Sequence, residues 1–114
     1  DVIAQRVTDI VEAMVDALPE RPTTLRADGG LSRDARLMQR QADVLGLPVH
    51  VARNDESTAL GIAGLAGMAA GTLDRAALTR ANPSVRVYDP GLTDDVRSET
   101  RAGWEAFVRT ALTL

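Results

Sequence analysis

The stretch Leu25–Leu47, LRADGGLSRDARLMQRQADVLGL, decides how the rest of the chain is read. A short extended segment, Thr24 to Ala27, runs into a tight Asp28-Gly29-Gly30 turn, and a helix carrying Gln39, Gln41 and Asp43 follows. Two adjacent glycines allow backbone angles closed to other residues and leave no side chain between main chain and ligand. The N–H groups at the start of the next helix then face whatever lies over the turn, and they favour an anion. Strand, Gly-Gly turn and helix N-terminus together make a phosphate or nucleotide site. The triplet by itself matches neither GxGxxG nor GxxxxGKS/T, and a plain strand-to-helix turn uses the same small residues. Ser32 is expected to cap the helix, with Asp34 in its first turn and Leu37, Met38, Gln41, Ala42 and Leu45 on one face. Gly46 fits the C′ position that ends it.

Downstream, Pro48 to Arg53 (PVHVAR) alternates apolar and polar residues and predicts a second strand. Asn54 and Asp55 form its exit turn, and a third helix runs from Glu56 to about Ala70 with Gly71 as its stop. That helix carries Gly61, Gly64 and Gly67. Each interior glycine costs a helix about 1 kcal/mol relative to alanine, which close packing against a neighbour returns. Glu56, Ser57 and Thr58 stand at a helix start directly after a strand, where open α/β sheets place ligands. Asp74 to Asn82 reads as a short helix. Asn82 to Pro90 is a polar, proline-bounded connection holding Tyr88, and Asp94 to Leu114 is a terminal helix with Trp104 and Phe107 as core anchors.

Upstream, Ile3, Val7, Ile10, Val11, Met14, Val15 and Leu18 recur at helical spacing over Asp1 to Leu18 and make one apolar stripe. No N-cap precedes it, which suggests a chain cut from something longer or a terminus set at a helix start. Pro19 to Thr23 breaks the helix into a loop.

With 114 residues, 45% of them hydrophobic, the chain has the size of one domain and can bury a core. Aromatics are only 3%, so that core must be built from Ala, Leu, Val and Ile. A net charge of −3 with scattered basic residues argues against nucleic acid as a partner. The absence of cysteine removes disulfides and thiolate metal sites, and the single histidine, His50, reads as an ordinary strand residue. Ser57 to Leu73, the longest uncharged run, is too short and glycine-rich to read as a membrane span. The expectation is a soluble, cytoplasmic protein.

With these pieces in order, the chain resembles the carboxyl-terminal part of a carbohydrate kinase of the FGGY family. The matching words are LRADGGLSRDARLMQRQADVLGLPV at Leu25 to Val49 and ESTALGIAGLAGMAAG at Glu56 to Gly71, supported by IAQRVTDIVEAM at Ile3 to Met14 and YDPGLTDDVRSETRAGWEAF at the tail. The resemblance implies an α/β fold: the later part of an actin-like, ribonuclease-H-like ATPase domain, here with about two strands flanked by four helices. It implies ATP and Mg²⁺ as cofactors and a small sugar or polyol as partner, glycerol-like slightly ahead of pentuloses. It places Gly29 and Gly30 at the nucleotide's phosphates and ribose, Asp34 near adenine, and Asp28 as the residue that caps or orients the turn. Asp34 departs from the Asn or Ser common there. Glu56 and Thr58 are assigned first to closing the third helix against that turn. The family's general base, sugar-contacting residues and first phosphate loop lie upstream, so no catalytic residue is assigned here. The sheet edge left open predicts marginal stability or self-association as a homo-oligomer. The alternative is a stand-alone, non-catalytic binding or self-association module.

Overall fold

The computed structural model describes residues 1–114. Five helices surround a three-stranded sheet: α1 (Val2–Val15), β1 (Leu25–Ala27), a single 3₁₀ turn (Gly30–Arg33), α2 (Ala35–Leu45), β2 (Val49–Ala52), α3 (Ser57–Ala69), α4 (Arg75–Ala81), β3 (Ser84–Tyr88) and α5 (Asp94–Leu112). The strand order is β1-β2-β3. β1 and β2 run parallel, pairing Leu25 with Val49 and Ala27 with Val51. The return to β2 is made by α2, as a parallel crossover requires. β3 lies antiparallel on β2, with Val49 opposite Tyr88 and an irregularity between Val51 and Ala52.

The core is a layer of α1 and α2 on one face of this sheet. Ala4, Leu37, Met38, Ala42, Val44, Val49 and Val51 are buried together, with Leu25, Ala27 and Tyr88 packed against them. Polar groups fasten the two helices. Gln41 Nε2 donates to the Ala4 carbonyl at 3.2 Å and to Thr8 Oγ1 at 3.1 Å, and Thr8 Oγ1 donates to the same carbonyl at 2.8 Å, so all three groups of this contact are satisfied inside the core. No helix is long and apolar enough to cross a membrane.

Several expectations are corrected. Three strands and five helices replace two and four: Ser84–Tyr88, read as connection, is a strand, and Tyr88 packs on the core. α1 does have a cap, because Asp1 Oδ1 accepts from the Ile3 and Ala4 N–H groups. The cap of α2 is Asp34, whose Oδ1 accepts from the N–H groups of Arg36 at 3.0 Å and Leu37 at 3.1 Å, and Ser32 lies earlier, inside the 3₁₀ turn. Phe107 is 60% exposed and anchors nothing. Trp104 is half-buried, its Nε1 donating to the Asp9 carboxylate across the α1–α5 contact. The apolar stripe of α1 is largely uncovered, with Ile3, Ile10 and Met14 exposed, while the buried positions are Ala4, Gln5 and Thr8.

The close-packing reading of the α3 glycines holds at two of the three positions. Gly64 lies against Leu78 of α4, and a methyl at Gly67 would stand 2.7 Å from Leu73. Gly61 faces open space. Gly46 ends α2 at φ 76°, the left-handed cap its position predicts.

Candidate functional site

β1 ends at Ala27, and the chain turns outward through Asp28, Gly29 and Gly30 at the carboxyl end of the parallel pair. Gly29 has φ 87° and ψ 175°, a conformation restricted in practice to glycine. The turn is closed from below: buried Ser32 donates to the Gly29 carbonyl from its Oγ at 2.6 Å and from its N–H at 3.1 Å. From above it is open. A methyl placed on Gly29 or Gly30 would meet nothing within 4 Å. Gly29 is thus required by the backbone, whereas nothing in the packing requires Gly30. Gly30 borders open space at the start of the 3₁₀ turn.

All four sequence-predicted residues, Asp28, Gly29, Gly30 and Asp34, come together around this turn. Their parts differ from expectation in two respects. The hydrogen bonds closing the turn come from Ser32 rather than Asp28, whose carboxylate is exposed at the rim. The Asp34 carboxylate is occupied with capping α2, where an oxygen acceptor stabilises by about 1 kcal/mol. The Ser32 signal was visible two residues after Gly-Gly but fits either the turn or the helix it precedes.

The turn is tied to the end of β2 by an ion pair between Arg33 and Asp55. Asp55, and not Glu56 or Thr58, makes this link, while the Glu56 N–H donates to Asn54 Oδ1 at 2.8 Å. Asn82 braces the same loop. Its Oδ1 accepts from the Asn54 N–H at 2.7 Å, and its Nδ2 donates to the Asn54 carbonyl at 2.9 Å and to Ser57 Oγ at 3.2 Å. Sequence reasoning missed Asp55 and Asn82 because their partners are distant in the chain. Two clefts flank the turn: an apolar one of about 280 Å³ bordered by Ile3, Val7, Leu25, Ala27 and Leu31, and a polar one of about 270 Å³ between the 3₁₀ turn, β2 and β3.

A second polar cluster joins α1 to α5 away from the turn. Arg101, 9% exposed, donates from its guanidinium to Gln5 Oε1 at 2.7 Å, Asp9 Oδ1 at 2.8 Å and Glu12 Oε2 at 2.6 Å. Burial pushes the Asp9 carboxyl up, but hydrogen bonds from Trp104 and Arg101 and the nearby guanidinium charges outweigh it and hold the group below its ordinary value. Burial likewise opposes the charge on Arg101, and the two carboxylates more than offset it, so its proton is held more tightly than usual.

The fold and the turn have the form of an open α/β unit: two parallel strands, a helix between them, and a glycine turn with its outer face free. Comparison with known proteins gives the family. Residues 1–70 match the FGGY family of carbohydrate kinases, C-terminal domain. The glycerol kinase of Geobacter sp. (strain M21) is 40% identical over 112 residues, covering 98% of this chain and 23% of that protein. Glycerol kinase 1 of Thermotoga maritima is 38% identical over 112 residues, covering 97% of this chain and 23% of that protein. Among solved structures, Plasmodium falciparum glycerol kinase with ADP superimposes with a TM-score of 0.81 at 26% identity, over 95% of this chain and 22% of that one. Xylulose kinase from Rhodospirillum rubrum shares the fold at a TM-score of 0.76 and 24% identity, over 95% of this chain and 22% of that one. The chain belongs to the FGGY family of carbohydrate kinases and has the fold of the later part of its actin-like ATPase domain. It spans about a quarter of the length of the curated relatives it matches.

Proposed function

We propose that this chain forms the nucleotide-side wall of an ATP-dependent kinase that transfers the γ-phosphoryl group to a hydroxyl of a small polyol, glycerol ahead of pentuloses. The observation that carries the reading is the contrast between the two glycines. Gly29 is fixed by its backbone angles, but Gly30 is free of any packing demand and borders open space at a helical N-terminus. A glycine at a position where the fold would accept alanine fits close approach of a ligand, and the N–H groups beside it fit a phosphate. Gly29 and Gly30 would lie against the nucleotide's phosphates and ribose, with Asp34 near the adenine and Asp28 orienting the turn at its rim. Mg²⁺ would accompany ATP, neutralising charge on the phosphates during transfer. Glycerol leads because the relatives with the higher identities, 40% and 38%, are glycerol kinases.

Phosphoryl transfer depends on positioning and charge stabilisation by several parts acting together. This chain offers one wall and no general base, so by itself it should be inactive. The test is an assay of the full-length protein with ATP against glycerol, xylulose and gluconate, beside its Gly30→Ala variant. The expected result is turnover highest with glycerol, and a variant that melts like the parent yet binds ATP at least about tenfold more weakly. Unchanged ATP affinity in Gly30→Ala would remove the nucleotide from this turn, and absence of transfer to any polyol or sugar would overturn the kinase reading.

A further inference from the structure

The polar cleft beside the 3₁₀ turn is rich in arginine. On a chain with a net charge of −3, it is bordered by Arg33, Arg53 and Arg86 together with Ser32, Asp55 and Tyr88. Three guanidinium charges against one carboxylate leave a formal excess of two positive charges. Arg33 spends its charge on Asp55, while Arg53 and Arg86 have no carboxylate partner.

Strand pairing explains why these groups converge. Arg86 stands opposite Val51 and Tyr88 opposite Val49, and cross-strand partners share a face. Val49 and Val51 point into the core under α2, so Arg86 and Tyr88 are on the side toward the 3₁₀ turn. Arg86 is steadied there: its Nη1 donates to the Tyr88 hydroxyl at 3.2 Å, and its guanidinium carbon lies 5.8 Å from the ring centre. The remaining guanidinium N–H groups are left to an outside acceptor, and the phenol can donate its own proton to the same acceptor. At about 270 Å³ the cleft has room for a phosphate group or a small phosphate ester.

We propose that this cleft is an anion site for a phosphate dianion, free or carried on a small ester, held by Arg53 and Arg86 with Tyr88 as an additional donor. The planar fork of arginine matches phosphate oxygens two at a time, and such charge-assisted bonds are the stronger kind. Gly29 and Gly30 do not line it, so it is separate from the proposed nucleotide turn and does not rest on the kinase reading. It does share Ser32 and Arg33 with the 3₁₀ turn, so its occupant would press on the residues that close that turn.

The probes are inorganic phosphate and pyrophosphate, titrated calorimetrically into the full-length protein with and without a saturating non-hydrolysable ATP analogue. Binding is expected in both conditions, and the double variant Arg53→Gln, Arg86→Gln should weaken it at least about tenfold, since it removes both free guanidinium charges. Arg75→Gln, on exposed α4, should leave it unchanged. On the unaltered protein, phosphate should protect Arg53 and Arg86 from phenylglyoxal, as mapped by mass spectrometry. Loss of binding when the ATP analogue is present would assign the anion to the nucleotide turn and overturn the proposal. Undiminished binding by the double variant, no heat with either probe, or no protection of these two arginines would overturn it equally.

Discussion

The Ser32 hydroxyl donates to the Gly29 carbonyl oxygen at 2.6 Å, so one buried side chain holds the peptide that follows a backbone angle only glycine adopts. Ser32→Ala removes that donor and leaves the carbonyl with the Ser32 N–H alone. Denaturant titration of the full-length protein should show a loss of about 1 kcal/mol, the usual net worth of one hydrogen bond. If the turn faces ATP, KM for ATP should rise severalfold while kcat changes little, because the variant loosens binding and leaves the reacting groups in place. A variant with lowered kcat and unaltered KM would contradict this assignment.

Asp43 joins parts of the chain that lie far apart in sequence. Its Oδ1 accepts from the Gly91 N–H at 2.7 Å and from Gln39 Nε2 at 2.9 Å, and its backbone carbonyl accepts from Arg97 Nε at 2.9 Å. Gln39 Nε2 also donates to the Asp89 carbonyl, so α2 grips the Pro90–Gly91 turn that launches α5. Asp43→Ala should therefore destabilise by about 2 kcal/mol, within the range for a hydrogen bond to a charged acceptor. Asp43→Asn keeps an oxygen at Oδ1 and should lose less. Hydrogen exchange at the Gly91 amide should accelerate in the alanine variant before the β1–β2 amides do.

The polar residues of LMQRQAD show how far sequence reading reaches. Their spacing placed Gln39, Gln41 and Asp43 on one helix, and the strand, turn and helix of Leu25–Leu45 followed from local chemistry. Their partners were invisible, because Ala4, Thr8 and Gly91 lie dozens of residues away. β3 was missed for a related reason. Ser84–Tyr88 is short, bounded by Pro83 and Pro90, and its Val85 and Val87 are exposed, so neither length nor a buried apolar face announced a strand. Apolar periodicity reports which residues favour burial, not whether their cover is present. Ile3, Ile10, Met14 and Phe107 had the right pattern and remain exposed. At the turn, Gly29 was legible because a glycine pair signals a backbone closed to other residues, whereas the Arg33–Asp55 link needed the sheet to bring two turns together.

The α1–α5 junction makes stability depend on pH in a definite direction. The Asp9 carboxyl in the fold lies below its ordinary value of 3.8, so the folded state binds its proton more weakly than the unfolded chain does. Its stabilisation is present above that ordinary value and is lost as pH falls through the lowered folded value. Arg101 stays charged throughout this window and does not contribute to the slope. Urea titrations from pH 7 down through the acid range should show the parent losing stability on the acid side. Asp9→Asn should be less stable at neutral pH and show a flatter acid limb. An identical slope in the two proteins would place the acid sensitivity elsewhere.

The surface of the isolated chain predicts association. A folded monomer of this mass, 12.1 kDa, exposes about 6,000 Å² by the usual scaling, but this chain exposes 7859 Å². Its radius of gyration is 17.0 Å, against about 13 Å for a compact domain of the same length. Only 14 of 114 residues are buried, which is too few for a robust core. β1 pairs only with β2, so its other edge offers unpaired backbone groups, and exposed apolar side chains stand on α1 and on α3, among them Ile10, Met14, Ile62 and Leu65. Produced alone, the chain should sediment as dimers or larger species at micromolar concentration and melt at a temperature that rises with concentration. The full-length protein should bury these surfaces and melt more cooperatively. A strictly monomeric 114-residue chain with a sharp, concentration-independent transition would show that the open edge and apolar helix faces are compatible with a self-sufficient domain, which would favour a stand-alone module over part of a kinase.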